Sequence, residues 1–165
     1  MCVPRHGPGR LLACILLLAV AGCRRPPSDE ERIRALVDDA ARAAAEKRVA
    51  DVVVGVSESF RGEGLDRQGL KRLVAFHVLR GSWLAILVAA ARVDVRGDEA
   101  DAVVDVVMSR TRRAATVVEL PAAEATVHRF ALRLARERAG WRVTAASWHP
   151  ITIAELLSEP PAAPR

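Results

Sequence analysis

The chain has 165 residues, with 25 Lys and Arg against 20 Asp and Glu, three cysteines and no tyrosine. That length suits a single domain able to bury its own core. The formal charge of +5 is too small to imply a polyanionic partner, and the positives alternate with acids along the chain. Arginine far outnumbers lysine, which occurs only as Lys47 and Lys71; this reflects GC-rich coding and not nucleic-acid recognition.

Arg5 and Arg10 form a positive segment without an acid, and residues 11–20 are apolar. Ala21 and Gly22 are small, and Cys23 follows. Leu18-Ala19-Val20-Ala21-Gly22-Cys23 resembles the lipobox of a bacterial lipoprotein signal peptide. The resemblance implies cleavage before Cys23, diacylglycerol on its thiol and a fatty acyl group such as palmitate on the new amine. A transmembrane helix is the alternative, but the apolar run is about 12 residues where a span needs about 20. An ordinary secretory signal would cleave near the same place; the cysteine after a small residue favours the lipoprotein. Two or three acyl chains anchor firmly where one does not. The expected location is therefore outside the cytoplasm, on a membrane. In a two-membrane bacterium it is the periplasmic face of the outer membrane, because Arg24 and not aspartate follows the cysteine.

Cys2 and Cys14 would leave with the signal, 1–22. Cys23 is then the single cysteine of a mature chain of roughly 143 residues, and no intrachain disulfide is expected. Residues 23–27 form a tether, Arg24-Arg25-Pro26-Pro27 reaching about 15 Å when extended. The two arginines could add about 1 kcal/mol each near anionic lipid.

The domain proper is expected over 28–150. Ser28 and Glu31 have the spacing of a capping box. Ile33, Leu36, Val37, Ala40 and Ala44 then follow a helical stripe ending near Arg48. Residues 49–56 are apolar and short, a helix or a strand. Residues 57–64 read as a loop with two glycines. A third helix is expected over 66–79, with Leu70, Leu73, Val74, His77 and Val78 on its buried side and Gly81 ending it.

Beyond Gly81 the texture is β. Residues 83–95 are largely apolar and end in strict alternation, and Arg96-Gly97-Asp98 reads as a turn. Residues 100–110 alternate: Ala102, Val104, Val106 and Met108 on one face, Asp101, Val103, Asp105, Val107 and Ser109 on the other. Residues 111–123 are a longer connection. Residues 126–136 set Phe130, Leu132 and Leu134 against Arg129 and Arg133. A last strand is expected from Trp141 to Trp148, closed by Pro150. Thr152 and Glu155 repeat the capping spacing, so residues 151–165 should hold one short helix and a disordered end from Pro160. Helices followed by antiparallel strands make the class α+β.

This order, with Arg96-Gly97-Asp98-Glu99-Ala100 before a valine-rich strand and Ala139-Gly140-Trp141-Arg142-Val143 leading to Trp148, resembles the NTF2-like family, which includes ketosteroid-isomerase-like and SnoaL-like proteins. The resemblance implies a cone: three N-terminal helices packed in a curved antiparallel sheet of about four strands, with a pocket at the wide end. Its outer face often mediates dimers, so a homodimer is an expectation. Some relatives are enzymes and others bind without chemistry, so fold alone leaves the function open.

Strand parity assigns a concave face of Val93, Val95, Ala102, Val104, Val106, Met108, Thr126, His128, Phe130, Leu132, Leu134, Trp141, Val143, Ala145 and Ser147. It holds no carboxylate to serve as general base, and the chain has no Tyr to donate to an oxyanion. His128, with His77 from the third helix, is the candidate for catalysis. Each is also explained as a structural histidine, and His149 as a strand-end residue. Met108, His128, Phe130 and Trp141 are the candidate ligand pocket, while Trp148 is assigned to the outer face or edge. Asp94, Asp101 and Asp105 on the mixed face are accounted for by cross-strand pairing with Arg92, Arg96, Arg129 and Arg133.

No metal site is expected, because His, Asp and Glu are not grouped at ligand spacing, and no cofactor is implied. The expectation is a non-catalytic module binding a small apolar ligand or an envelope protein. The alternative is an isomerase, cyclase or hydrolase using His128 with His77.

Overall fold

The computed structural model describes residues 25–81, 83, 85–110 and 125–158. The signal segment, Cys23 and Arg24, the connection 111–123 and the tail from Pro160 lie outside the described residues. Helix α1 (Asp29–Ala45) starts in a full capping box. Glu31 N–H donates to Ser28 Oγ over 3.2 Å, and Ser28 N–H donates to the Glu31 carboxylate over 2.6 Å. Both donors would otherwise be orphans of the first turn. Ile33, Val37 and Ala43 are its buried residues.

Residues 49–56 divide between both readings. Val49–Val52 form a single helical turn, α2, whereas Val56 makes an isolated parallel bridge to Val143. The expected loop 57–64 contains structure. Arg61–Gly62 (β1) pairs antiparallel with Leu65–Asp66 (β2). Glu63 and Gly64 both take positive φ, 48° and 74°, as a two-residue type I′ hairpin turn requires. Gly62 lies so close to the Ala146 backbone that a Cβ there would collide with it. Asp66 then caps helix α3 (Arg67–Arg80), its Oδ1 accepting from Gly69 N–H over 2.7 Å.

Four long strands follow: β3 (Ala85–Arg96), β4 (Glu99–Ser109), β5 (Ala125–Glu137) and β6 (Gly140–Ile151). They form an antiparallel sheet in sequence order. Central β4 and β5 pair without a register shift, so their faces fall as alternation predicts. The outer pairings are each interrupted once. On β3 the shift lies between Val88 and Ala90. On β6 Leu134 pairs with Val143 and Arg133 with Ala145, leaving Thr144 over. A bulge exchanges the faces beyond it. Ala146 and Trp148 therefore pair with Leu132 and Phe130 and share their concave face. Ala145 and Ser147, expected inside, turn to the other face. Pro150 does not close the strand: it pairs with His128 and β6 runs on to Ile151. Proline is tolerated there because β6 is an edge strand and needs no second donor.

The helices fill the concave side. Ile33, Val37, Phe60, Val93, Ala102, Val104, Leu134, Trp141 and Val143 form one buried cluster, concentrated toward the β3–β4 and β5–β6 turns. This is the closed apex. Helix α4 (Ile153–Ser158) starts in the Thr152–Glu155 capping pair. It crosses to the convex face, where Ile153 and Leu156 cover Val107 and Val127. No helix among the described residues is long and apolar enough to cross a membrane.

Candidate functional site

Opposite the apex the sheet and helices diverge and leave a cavity of about 480 Å³. That size falls in the range of small-molecule sites. Helix α1 supplies Leu36, Ala40 and Ala44, and α3 supplies Leu70, Leu73, Val74 and His77. Val88, Val104, Val106, Met108, Phe130, Leu132, Ala146 and Trp148 come from the sheet. Trp83, just before β3, also borders it, with the Arg110 guanidinium 5.7 Å from its ring centre. The lining is apolar because every strand presents its aliphatic parity here.

Polar side chains at the cavity are few. Thr126 and His128 stand on β5 across from Met108 and Val106, and His77 is exposed on α3 at the same cavity. The rings of His128 and Phe130 are 6.5 Å apart, and those of Phe130 and Trp148 6.3 Å apart. They form an aromatic row across β5 and β6. His128 Nδ1 is buried with no hydrogen-bond partner. Its imidazole is held below the ordinary histidine value, first by burial and then by the charges of His77 and His149. At neutral pH it is therefore uncharged, with one ring nitrogen a donor and the other an acceptor. A shallower depression of about 460 Å³ beside the ends of β5 and β6 shares Thr126 and His128 with the cavity.

The candidate residues are thus distributed as follows. Met108, His128, Phe130 and His77 border one cavity. Trp141 does not: it is buried at the apex, where its indole N–H donates to Asp29 over 3.1 Å and the Arg136 guanidinium lies 4.7 Å from its ring. Those partners hold the Asp29 carboxyl below its usual range, Arg136 first and Trp141 second. Trp148, expected outside, lines the cavity because of the Thr144 bulge. Trp83 and Ile86 also line it; they precede the clear alternation of β3, so parity could not place them.

No carboxylate lines the cavity among the described residues. Asp101 and Asp105 stay on the convex side, since neither bulge lies between β4 and β5. Arg96 pairs with Asp101, and Arg129 with Asp105. Among the described residues no three His, Cys, Asp or Glu side chains are placed to hold a metal ion. The chemistry on offer is an apolar enclosure with a neutral imidazole in its wall and a second at its border.

No family model matches the chain, and no curated protein matches it. Solved structures do. An NTF2-like protein with a cystatin-like fold from Novosphingobium aromaticivorans is 19% identical, covers 94% of this chain and all of its own, and has a TM-score of 0.55. An NTF2-like protein of unknown function from Pseudomonas putida is 12% identical, covering 81% of this chain and 94% of its own, with a TM-score of 0.57. A member of the NTF2-like family from Streptomyces avermitilis, provisionally described as a dehydratase, is 13% identical, covering 77% and 99%, with a TM-score of 0.57. At such identities the likeness is one of fold. Three helices at the concave side of a four-stranded antiparallel meander, closed at one end and hollow at the other, give this chain the NTF2-like fold.

Proposed function

We propose that this chain is an exported lipoprotein, acylated at Cys23, whose cone binds a small and largely apolar ligand without transforming it. The observation that carries the binding is the cavity: about 480 Å³ of apolar enclosure with a buried, unpartnered nitrogen on His128. Leaving such an atom unpaired costs about 1–3 kcal/mol. A turn of the imidazole would bring that nitrogen to a ligand hydroxyl or carbonyl, which would recover the cost while the rest of the molecule fills the apolar walls. The lipobox at residues 18–23 supports the anchor.

Trp83 and Trp148 line the cavity, so their fluorescence reports its occupation. Titration with the apolar probe N-phenyl-1-naphthylamine should change it saturably. Ala40→Trp, which fills the cavity from α1, should abolish that change while the far-ultraviolet dichroism stays native. His128→Ala should weaken any ligand that uses the imidazole about ten-fold. Undiminished probe binding by a folded Ala40→Trp protein would place the binding elsewhere.

One observation favours a catalytic second reading, as an isomerase, cyclase or hydrolase. His77 is near enough to His128 to disfavour its protonation, so two imidazoles border one cavity and a neutral one could abstract a proton. That reading requires turnover of a bound ligand, lost in both His128→Gln and His77→Gln. The binding reading requires recovery of the ligand unchanged.

A further inference from the structure

Helix α3 is apolar on two sides. Leu70, Leu73, Val74 and His77 face the cavity. Leu79 lies on the opposite side of the helix and Phe76 on its flank, about 60° round from Leu73; they are 59% and 53% exposed. Of the whole helix only Gly69 is fully buried. The charges on α3 have one sign: Arg67, Lys71, Arg72 and Arg80, with no acid. Arg67 is engaged by Glu58. Lys71, Arg72 and Arg80 make no ion pair among the described residues, and the Arg80 guanidinium sits 5.1 Å from the Phe76 ring centre. Arg72 lies between Phe76 and Leu79 around the helix, with Lys71 and Arg80 to either side. Two exposed apolar side chains set among cations that have no ion-pair partner among the described residues can meet the acyl boundary and the phosphates of an anionic bilayer surface together.

We propose that this outer face of α3 docks on an anionic membrane surface. Phe76 and Leu79 enter the boundary between headgroups and acyl chains, and Lys71, Arg72 and Arg80 meet lipid phosphates. Charge selects this occupant over a second copy of the chain, because pairing two such faces would set cations against cations. The consequence for the cavity is direct. Helix α3 is its wall, and the Phe76 ring meets the His77 ring edge-on at 5.4 Å. Docking therefore puts the cavity border against lipid. The surface does not require Cys23 to be acylated. If Cys23 is acylated, residues 23–28 reach about 17 Å when extended, so the anchor would keep the domain close to the same surface.

The test uses the chain from Cys23 onward carrying Cys23→Ser, so that no acyl group contributes. It is sedimented with phosphatidylcholine vesicles, with and without about one third phosphatidylglycerol. Binding to the anionic vesicles alone is expected, with slower amide exchange along α3. Phe76→Ser with Leu79→Ser should weaken it about ten-fold, and Arg72→Gln with Arg80→Gln about 25-fold, at about five-fold per cation. Thermal melts establish that each double variant is folded; the two act through different chemistry, so either suffices. Failure of the parent chain to bind anionic vesicles overturns the proposal. So does wild-type binding by a folded double variant, which would assign the attraction to Arg24 and Arg25. A dimer that buries Phe76 in solution would overturn it too, by giving the face a protein occupant.

Discussion

Arg129 grips Asp105 with both arms of its guanidinium, Nε 2.7 Å from Oδ1 and Nη2 2.9 Å from Oδ2. The two are direct cross-strand partners of β5 and β4, and Asp105 is fully buried. This is a different object from the exposed cross-strand pair that alternation suggests. Removing either partner strands a charge out of water. Arg129→Met or Asp105→Leu alone should cost about 3 kcal/mol. The double replacement should recover most of that loss, because the pair's own desolvation cost goes with it. Chemical denaturation of the two single variants and the double variant measures the coupling; additive losses would mean that the pair is not a unit.

A second expectation concerns pH. Burial, then His77 and His149, hold His128 below 6.5, the value it takes in an unfolded chain. As pH falls through that value the unfolded chain gains a proton that the folded chain resists. The stability present above pH 6.5 is therefore lost as pH drops toward the folded value. The melting temperature should fall between about pH 7.5 and pH 5, and His128→Phe should flatten part of the fall. Identical pH profiles for variant and parent would remove His128 from the account.

Much of this architecture was legible because local signals and tertiary demands agree. Ser28 and Glu31 announce α1, and β4 and β5 pair without a register shift, so parity reads straight through them. The candidates Met108, His128 and Phe130 sit on those two strands, so parity placed them together. Legibility stopped at the outer strands. Nothing in Val143-Thr144-Ala145 marks a bulge: there is no glycine. Straight parity therefore puts Trp148 at the outer face or edge, and it puts Trp141 in the pocket because it cannot show how far along a strand the cavity begins. The β1–β2 hairpin carried a weak signal, Gly64 after Glu63 in place of the commoner Asn-Gly.

Helix α4 packs lightly. Ile153 and Leu156 cover Val107 and Val127, while Leu157 stays 67% exposed. Deleting residues 151–165 uncovers that cluster and should cost about 2 kcal/mol, the worth of about one buried aliphatic side chain. A thermal melt measures it. An unchanged midpoint would leave α4 without a structural role and free for a partner.

Anchoring is tested at Cys23. Metabolic labelling with an alkyne fatty acid should mark the wild-type chain, and Cys23→Ala should abolish both the label and the cleavage that precedes it. Equal labelling of the two would rule out a lipoprotein.

The odd residue in β6 has an engineering meaning. Thr144 is fixed by its hydroxyl, which donates to the Arg133 carbonyl over 3.2 Å. On its apex side the inward residues are Trp141 and Val143; on its mouth side they are Ala146 and Trp148. Thr144 therefore works as a phase shifter between two independently written halves of one strand. Excising it would leave every pair as it stands, Val143 with Leu134 and Trp148 with Phe130, and give a regular strand with Trp148 still inside; pairing Thr144 itself with Arg133 is what would swing Trp148 out and Ser147 in. The lining of this cone is thus set by which residue of β6 is left unpaired, as well as by which side chains the strand carries.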